Sequence, residues 1–208
     1  MKNIFLITIV FVLLSSSAKS QKHWTFDMYE TVSYKDFRAN ELFQQEYDAN
    51  NPDIPLLDAA IFFATNEQRA KKSLKILKYH KSCEITSYNH SKKMVEDDFF
   101  SHKNNIDKDR YSPSERIILA GANPGAWGEN IAYNYTSKGD TYLNIADKFL
   151  NQWMHSKGHK ENILDKSNIY LGCGTYPINN YIYATQFFIR RSKFTEPKAV
   201  DKLPPLKK

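Results

Sequence analysis

A single carboxylate interrupts an apolar and aromatic run at Gly128-Glu129-Asn130-Ile131-Ala132. Read as a strand, this stretch points Trp127, Glu129, Ile131 and Tyr133 to one side, because successive side chains alternate faces. That face is expected to be largely buried. Glu129 then needs a cation, a hydrogen-bond donor or a metal, or it stays protonated. The histidines that could serve it are His102, in Phe99-Phe100-Ser101-His102, and His155 and His159, in His155-Ser156-Lys157-Gly158-His159. The last two have the spacing of the zinc ligands in His-Glu-x-x-His metalloproteases. Ser156 stands where that motif keeps its general base, and Gly158 weakens a continuous helix, so the protease reading fails. The chain has no Gly-x-Ser-x-Gly elbow, phosphate loop or Cys-x-x-Cys. No catalytic activity is assignable from its motifs.

The elements that must position these residues follow from periodicity. Leu56–Leu77 begins as an amphipathic helix, and Lys81–Asp98 is a second helix buried on a wide face. His90, on that second helix, reads as a hydrogen-bonded core residue, while His23 and His80 read as surface residues. Ser112-Pro113-Ser114-Glu115 is a capping box with proline in the first turn, and Gly121 supplies the stop; this short helix is expected to be structural. Asp140–Met154 is the cleanest helix, with Tyr142, Ile145, Ala146, Phe149, Leu150 and Trp153 at intervals of three and four. Ser156 is placed to cap a short helix carrying His159 and Asn162. Ile169–Thr175 and Tyr181–Arg190 form an antiparallel hairpin around Pro177-Ile178-Asn179-Asn180.

Residues 1–20 have the form of a secretory signal peptide: Lys2, an apolar core from Ile4 to Leu14, and Ala18-Lys19-Ser20 before Gln21. The core falls short of the about 20 residues that span a bilayer. The expectation is an exported chain, secreted or periplasmic, with no transmembrane segment once the signal is removed. Residues 21–55 read as an N-terminal extension with a helix over 34–47, 56–190 as one domain, and 191–208 as a disordered basic tail. Removing Lys2 and Lys19 would lower the formal charge of +6, and the remaining basic residues form no stripe interleaved with aromatics, which argues against nucleic acid as a partner. An exported context permits a disulfide between Cys83 and Cys173; two buried free thiols are the alternative.

Five stretches occur in a telling order: Ser101-His102; Gly128-Glu129-Asn130-Ile131-Ala132; Trp153-x-x-Ser156-x-Gly158-His159-x-x-Asn162-Ile163-Leu164; Leu171-Gly172-Cys173-Gly174; and Tyr183-Ala184-Thr185-Gln186-Phe187. Together they resemble the CAP superfamily of cysteine-rich secretory, antigen 5 and pathogenesis-related 1 proteins, also called the SCP domain, in its bacterial form. The resemblance covers about residues 56–190. It implies an α+β fold, a three-layer α-β-α sandwich with a small antiparallel sheet, and a cleft bearing two histidines and two glutamates that can hold zinc or another divalent cation. His102, Glu129 and His159 match three of the four; Ser156 occupies the place of the second glutamate.

The cleft is thus expected to comprise His102, Glu129, His159, Ser156 and Asn162, with His102 and His159 as the metal ligands and Asn162 as scaffold. Two imidazoles and a carboxylate suit zinc, whereas a Glu129 hydrogen-bonded to the imidazoles would need no metal. Three functions follow. The first is an exported module binding a small molecule, lipid, peptide or envelope component. The second is a metal-assisted hydrolase with Glu129 as base. The third is a structural envelope or matrix protein.

Overall fold

The computed structural model describes residues 23–198 and 201–207. The signal-peptide reading of residues 1–20 lies outside the described residues.

The sequence from Ile54 to Ala70 forms helix α2, started by Asp53, whose side chain accepts from the Leu56 backbone N–H, with Pro55 in the first turn. It stops at Ala70, so residues 71–77 lead irregularly into the short strand β1 (Lys78–Tyr79). Helix α3 (Lys81–Glu96) follows, then α4 (Pro113–Leu119) with the expected Ser112/Glu115 capping box. Strands β2 (Ala122–Pro124) and β3 (Trp127–Tyr135) lead to α5 (Tyr142–His155), α6 (Lys157–Leu164), β4 (Tyr170–Ile178), β5 (Tyr181–Ile189) and β6 (Ser192–Phe194). The main sheet has the order β1-β4-β5-β3; its three long strands are antiparallel and β1 joins in parallel, so the expected antiparallel sheet is in fact mixed. Ile178 pairs with Tyr181 across a two-residue turn in which Asn179 has a φ of 53°, a left-handed conformation that asparagine tolerates.

Helix α3 covers one face of the sheet, while α2 and α5 cover the other, completing the α-β-α sandwich. Helix α3 lies against β4 because Gly172 and Gly174 have no Cβ: one added at either position would collide with the helix backbone at Cys83–Glu84 or Ser87–Tyr88. Ser87 and Ser91 then donate to the carbonyls of Gly172 and Gly174 at 3.0 and 2.8 Å, tying the layers together. The opposite layer is apolar, built from Leu56, Leu57, Ile61, Phe149, Trp153 and Phe188. On the β3 face expected to be buried, Glu129 and Ile131 are buried, but Trp127 and Tyr133, at its two ends, are exposed. Aromatic content at the strand ends therefore does not mark burial.

The stretch 34–47 forms no helix beyond the 3-10 turn Phe37–Ala39; among the described residues ahead of it, only the one-turn helix α1 (Met28–Thr31) stands. The aromatics of residues 23–47 serve packing rather than helical periodicity: Trp24, Phe37 and Phe43 are fully buried around Phe63 of α2, Phe37 stacked on it and the other two edge-on. The extension is thus part of the core. The stretch expected to be a disordered tail also makes ordered contacts. Strand β6 pairs with β2, Arg110 donates to Asp201 at 2.7 Å, and Lys207 donates to the Asn51 carbonyl at 2.6 Å. Cys83 and Cys173 are free thiols, each fully buried, and burial raises the pKa of both.

Candidate functional site

Three elements meet at Glu129. Strand β3 presents the carboxylate, with the side chain 1% exposed. The loop after α3 brings His102, whose Nδ1 lies 2.8 Å from Oε1, and helix α4 brings Arg116, whose Nη2 donates to Oε1 at 3.0 Å and Oε2 at 2.8 Å. Arg116 is itself buried and donates to the carbonyls of His102 and Arg110 as well. It therefore fixes both the acid and the backbone of the histidine that approaches it. The expected pairing of Glu129 with His102 is present, but the main counter-ion is Arg116, on a helix expected to be only structural. What pointed to it was the demand of a buried carboxylate for a cation.

His90 stands behind this pair, with Nε2 donating to the Ser101 carbonyl at 3.0 Å and 4.0 Å from Glu129 Oε1. Burial pushes its pKa down to about 4, so it is neutral at pH 7 and has the core role expected of it. Burial also works against the charge on Glu129. His90, the His102 hydrogen bond and Arg116 outweigh that penalty and hold its pKa below the ordinary glutamate value. With His90 neutral, His102 and Arg116 carry the effect at pH 7.

The second histidine comes on α6. His159 is partly buried; burial first, and the proximity of His102 second, lower its pKa, so it is neutral at pH 7. Its Nδ1 is buried without a hydrogen-bond partner among the described residues. A polar network holds this helix against the sheet. Asn162 donates to the Glu129 carbonyl and to Asn130 Oδ1, Asn130 donates to the His159 carbonyl and to Gln186, and Gln186 donates to Thr65 on α2. Asn162 thus acts as scaffold. Ser156 occupies the N-cap position of α6, but its side chain makes no capping bond. His155 is exposed and bonds the Asn151 carbonyl. Asn162 also lines a concavity of about 730 Å³ whose lining residues are mostly polar, with Lys157, Lys160, Glu161 and Asp165 beside Met154 and Leu164.

Among the described residues, no group of three or more His, Cys, Asp or Glu side chains is placed to hold a metal ion. The chemistry of the donors explains this: Glu129 is engaged by a guanidinium on both oxygens, and His102 Nδ1 is engaged by Glu129. The imidazoles of His102 and His159 are the donors that remain. The set therefore does not fit a cation held by two histidines and the carboxylate together. No helix among the described residues is long and apolar enough to cross a membrane.

The family model described as CAP, cysteine-rich secretory protein family, matches residues 62–189. The "Uncharacterized membrane protein YlbC" of Bacillus subtilis (strain 168) is 30% identical over 127 residues, which are 61% of this chain and 32% of that protein. The chain thus spans about a third of that relative's length. A crystal structure of an extracellular protein containing an SCP domain, from Bacillus anthracis str. Ames, is 28% identical with a TM-score of 0.55, covering 66% of this chain and 41% of that one. An outer surface protein from Borrelia burgdorferi has a TM-score of 0.53 at 18% identity, covering 71% of this chain and 98% of that one, and it shares the fold.

Proposed function

The chain belongs to the cysteine-rich secretory protein (CAP) family, and we propose that within it this protein is an exported binding module, secreted or periplasmic, rather than a hydrolase. The observation that carries this reading is the state of Glu129. A general base works best with a pKa near the operating pH and a free lone pair. Glu129 has a lowered pKa and gives both oxygens to Arg116, so it suits anchoring better than proton abstraction. What the site offers a ligand is the exposed edge of His102, the His159 ring near enough to feel its charge, and, beyond Asn162, a concavity that neither histidine lines. Lys157, Lys160, Glu161 and Asp165 line the concavity beside Met154 and Leu164, so the occupant that suits these features is a small molecule, or the polar end of a lipid or envelope component, with charged or hydrogen-bonding groups and little apolar surface. A divalent cation such as zinc would be held by His102 and His159, with water or the ligand completing its shell.

Native mass spectrometry of the protein purified without denaturation, beside a His102→Ala/His159→Ala variant, tests this. The expected result is a co-purifying small molecule or cation that the variant loses. Identical spectra, with the variant still folded, would defeat the proposal. Turnover of ester or peptide substrates that disappears in Glu129→Gln would favour the hydrolase instead.

A further inference from the structure

Away from His102 and Glu129, a concavity of about 510 Å³ lies where the loop after α2, the turn before β3, the loop before β4 and the residues after β5 meet. Four of its lining residues are cations, namely Lys75, Lys166, Arg190 and Arg191, and all four are exposed. Arg190 donates to Asp165 at 3.0 Å, whereas Lys75, Lys166 and Arg191 have no ion pair among the described residues. A fifth cation adjoins the concavity. Arg69 is fully buried and donates to the carbonyls of Lys75, Ile163 and Asp165 at 2.7–2.9 Å, which leaves Nη2 buried with no partner among the described residues. Among the described residues, only Arg190 of these five cations has an ion pair, with Asp165.

Like charges gathered around a concavity repel one another and raise the local concentration of anions. A buried guanidinium with an unmet donor adds a positive potential that solvent screens little. Arginine forks match tetrahedral oxyanions, and lysines add point charges. The space exceeds what one carboxylate fills, and the number of cations calls for an anion with more than one charge.

We propose that Lys75, Lys166, Arg190 and Arg191, backed by Arg69, form a binding site for phosphate groups, whether free in solution or on a lipid headgroup. The site includes none of His102, Glu129 and His159 and does not depend on how they are used; it meets the concavity beside Asn162 only at Asp165, the partner of Arg190. Arg69 is a positioning residue: its bonds to the Lys75 and Asp165 carbonyls hold together the two loops that carry Lys75 and Lys166.

The test compares the wild-type full chain, a Lys166→Glu/Arg191→Glu variant, and a charge-matched control, Lys138→Glu/Lys202→Glu, whose residues are also exposed. Pyrophosphate is titrated calorimetrically at low salt, and binding to phosphatidylglycerol and phosphatidylcholine vesicles is measured by co-sedimentation. The expected result is binding weakened by about tenfold or more in the first variant and unchanged in the control, as for removal of well-placed phosphate contacts. A loss seen with pyrophosphate identifies free phosphate as the source. A loss seen only with phosphatidylglycerol vesicles identifies the headgroup, and because every protein carries the same apolar residues 4–14, that segment cannot produce the difference. The proposal is overturned if the wild type binds neither probe, or if both variants lose binding equally.

Discussion

Two buried glutamates, one on the sheet and one on the helix that covers it, show opposite chemistry. Glu129, on β3, is ionised and matched by Arg116 and His102. Glu84, on α3, is fully buried and meets no cation among the described residues: Tyr79 donates to it at 2.5 Å and Tyr29, from the N-terminal extension, at 3.5 Å. Burial raises its pKa to about 8, the tyrosine hydroxyls only partly opposing, so it is largely protonated at pH 7. Asp58 of α2 is raised as well, by burial first and by Glu84 second, with Thr175 donating to it at 2.7 Å. Depth alone therefore does not mark a functional acid. The difference lies in a guanidinium partner and a half-exposed histidine on one side, and a seal of aromatic hydroxyls on the other.

The strongest way to break this comparison is Arg116→Met. It leaves Glu129 buried without its cation, and the expected cost is about 3–5 kcal/mol in urea denaturation, as for other half-broken buried pairs. A loss below about 1 kcal/mol would mean that the pair is not what holds the acid. Adding Glu129→Gln to that variant should recover part of the loss.

Glu84→Gln is expected to cost only about 1 kcal/mol at pH 7, because an amide resembles the protonated acid it replaces. The pH dependence has the opposite sign for the two glutamates. For Glu84 the folded form keeps a proton that the unfolded chain releases near pH 4.5, so its contribution to stability is full below that pH and declines as pH rises toward about 8. For Glu129 the folded pKa is depressed, so its contribution is present above the unfolded value and is lost as pH falls through the folded one. Denaturation across roughly pH 4–8 should therefore show a downward slope in the wild type that flattens in Glu84→Gln. An unchanged slope would show that Glu84 is not the titrating group.

The smallest effect concerns the thiols beside this sealed acid. Cys83 and Cys173 should resist a thiol reagent in the native protein, and both should react once it is unfolded without reductant. Failure to react after unfolding would reveal a disulfide.

The histidine site is legible in the sequence as far as Glu129, His102 and His159, because a carboxylate inside an apolar strand advertises its need for a partner. Arg116 is not legible: thirteen residues upstream of Glu129 on a short helix, it has the pattern of an ordinary exposed arginine, and only the tertiary placement of α4 turns it inward. Helices α4 and α5 are clear from their capping boxes and apolar spacing, whereas α6 starts after Ser156 without the side-chain cap that its sequence suggests. The core role of the N-terminal extension is hidden because its aromatics reach the core from turns, which leave no period in the sequence. Glu84 is hidden for a related reason. Within a mixed helix its burial depends on Gly172 and Gly174 letting α3 lie directly on the sheet.

Carbon-detected NMR titration of the glutamate carboxyls bears most directly on the contrast between the two acids. The expected result is a Glu129 carboxyl that titrates below the ordinary glutamate value and shifts upward in Arg116→Met, with Glu84 titrating near 8 in both proteins. A Glu129 carboxyl titrating between about pH 6 and 7 would contradict the account and return it to the role of a general base.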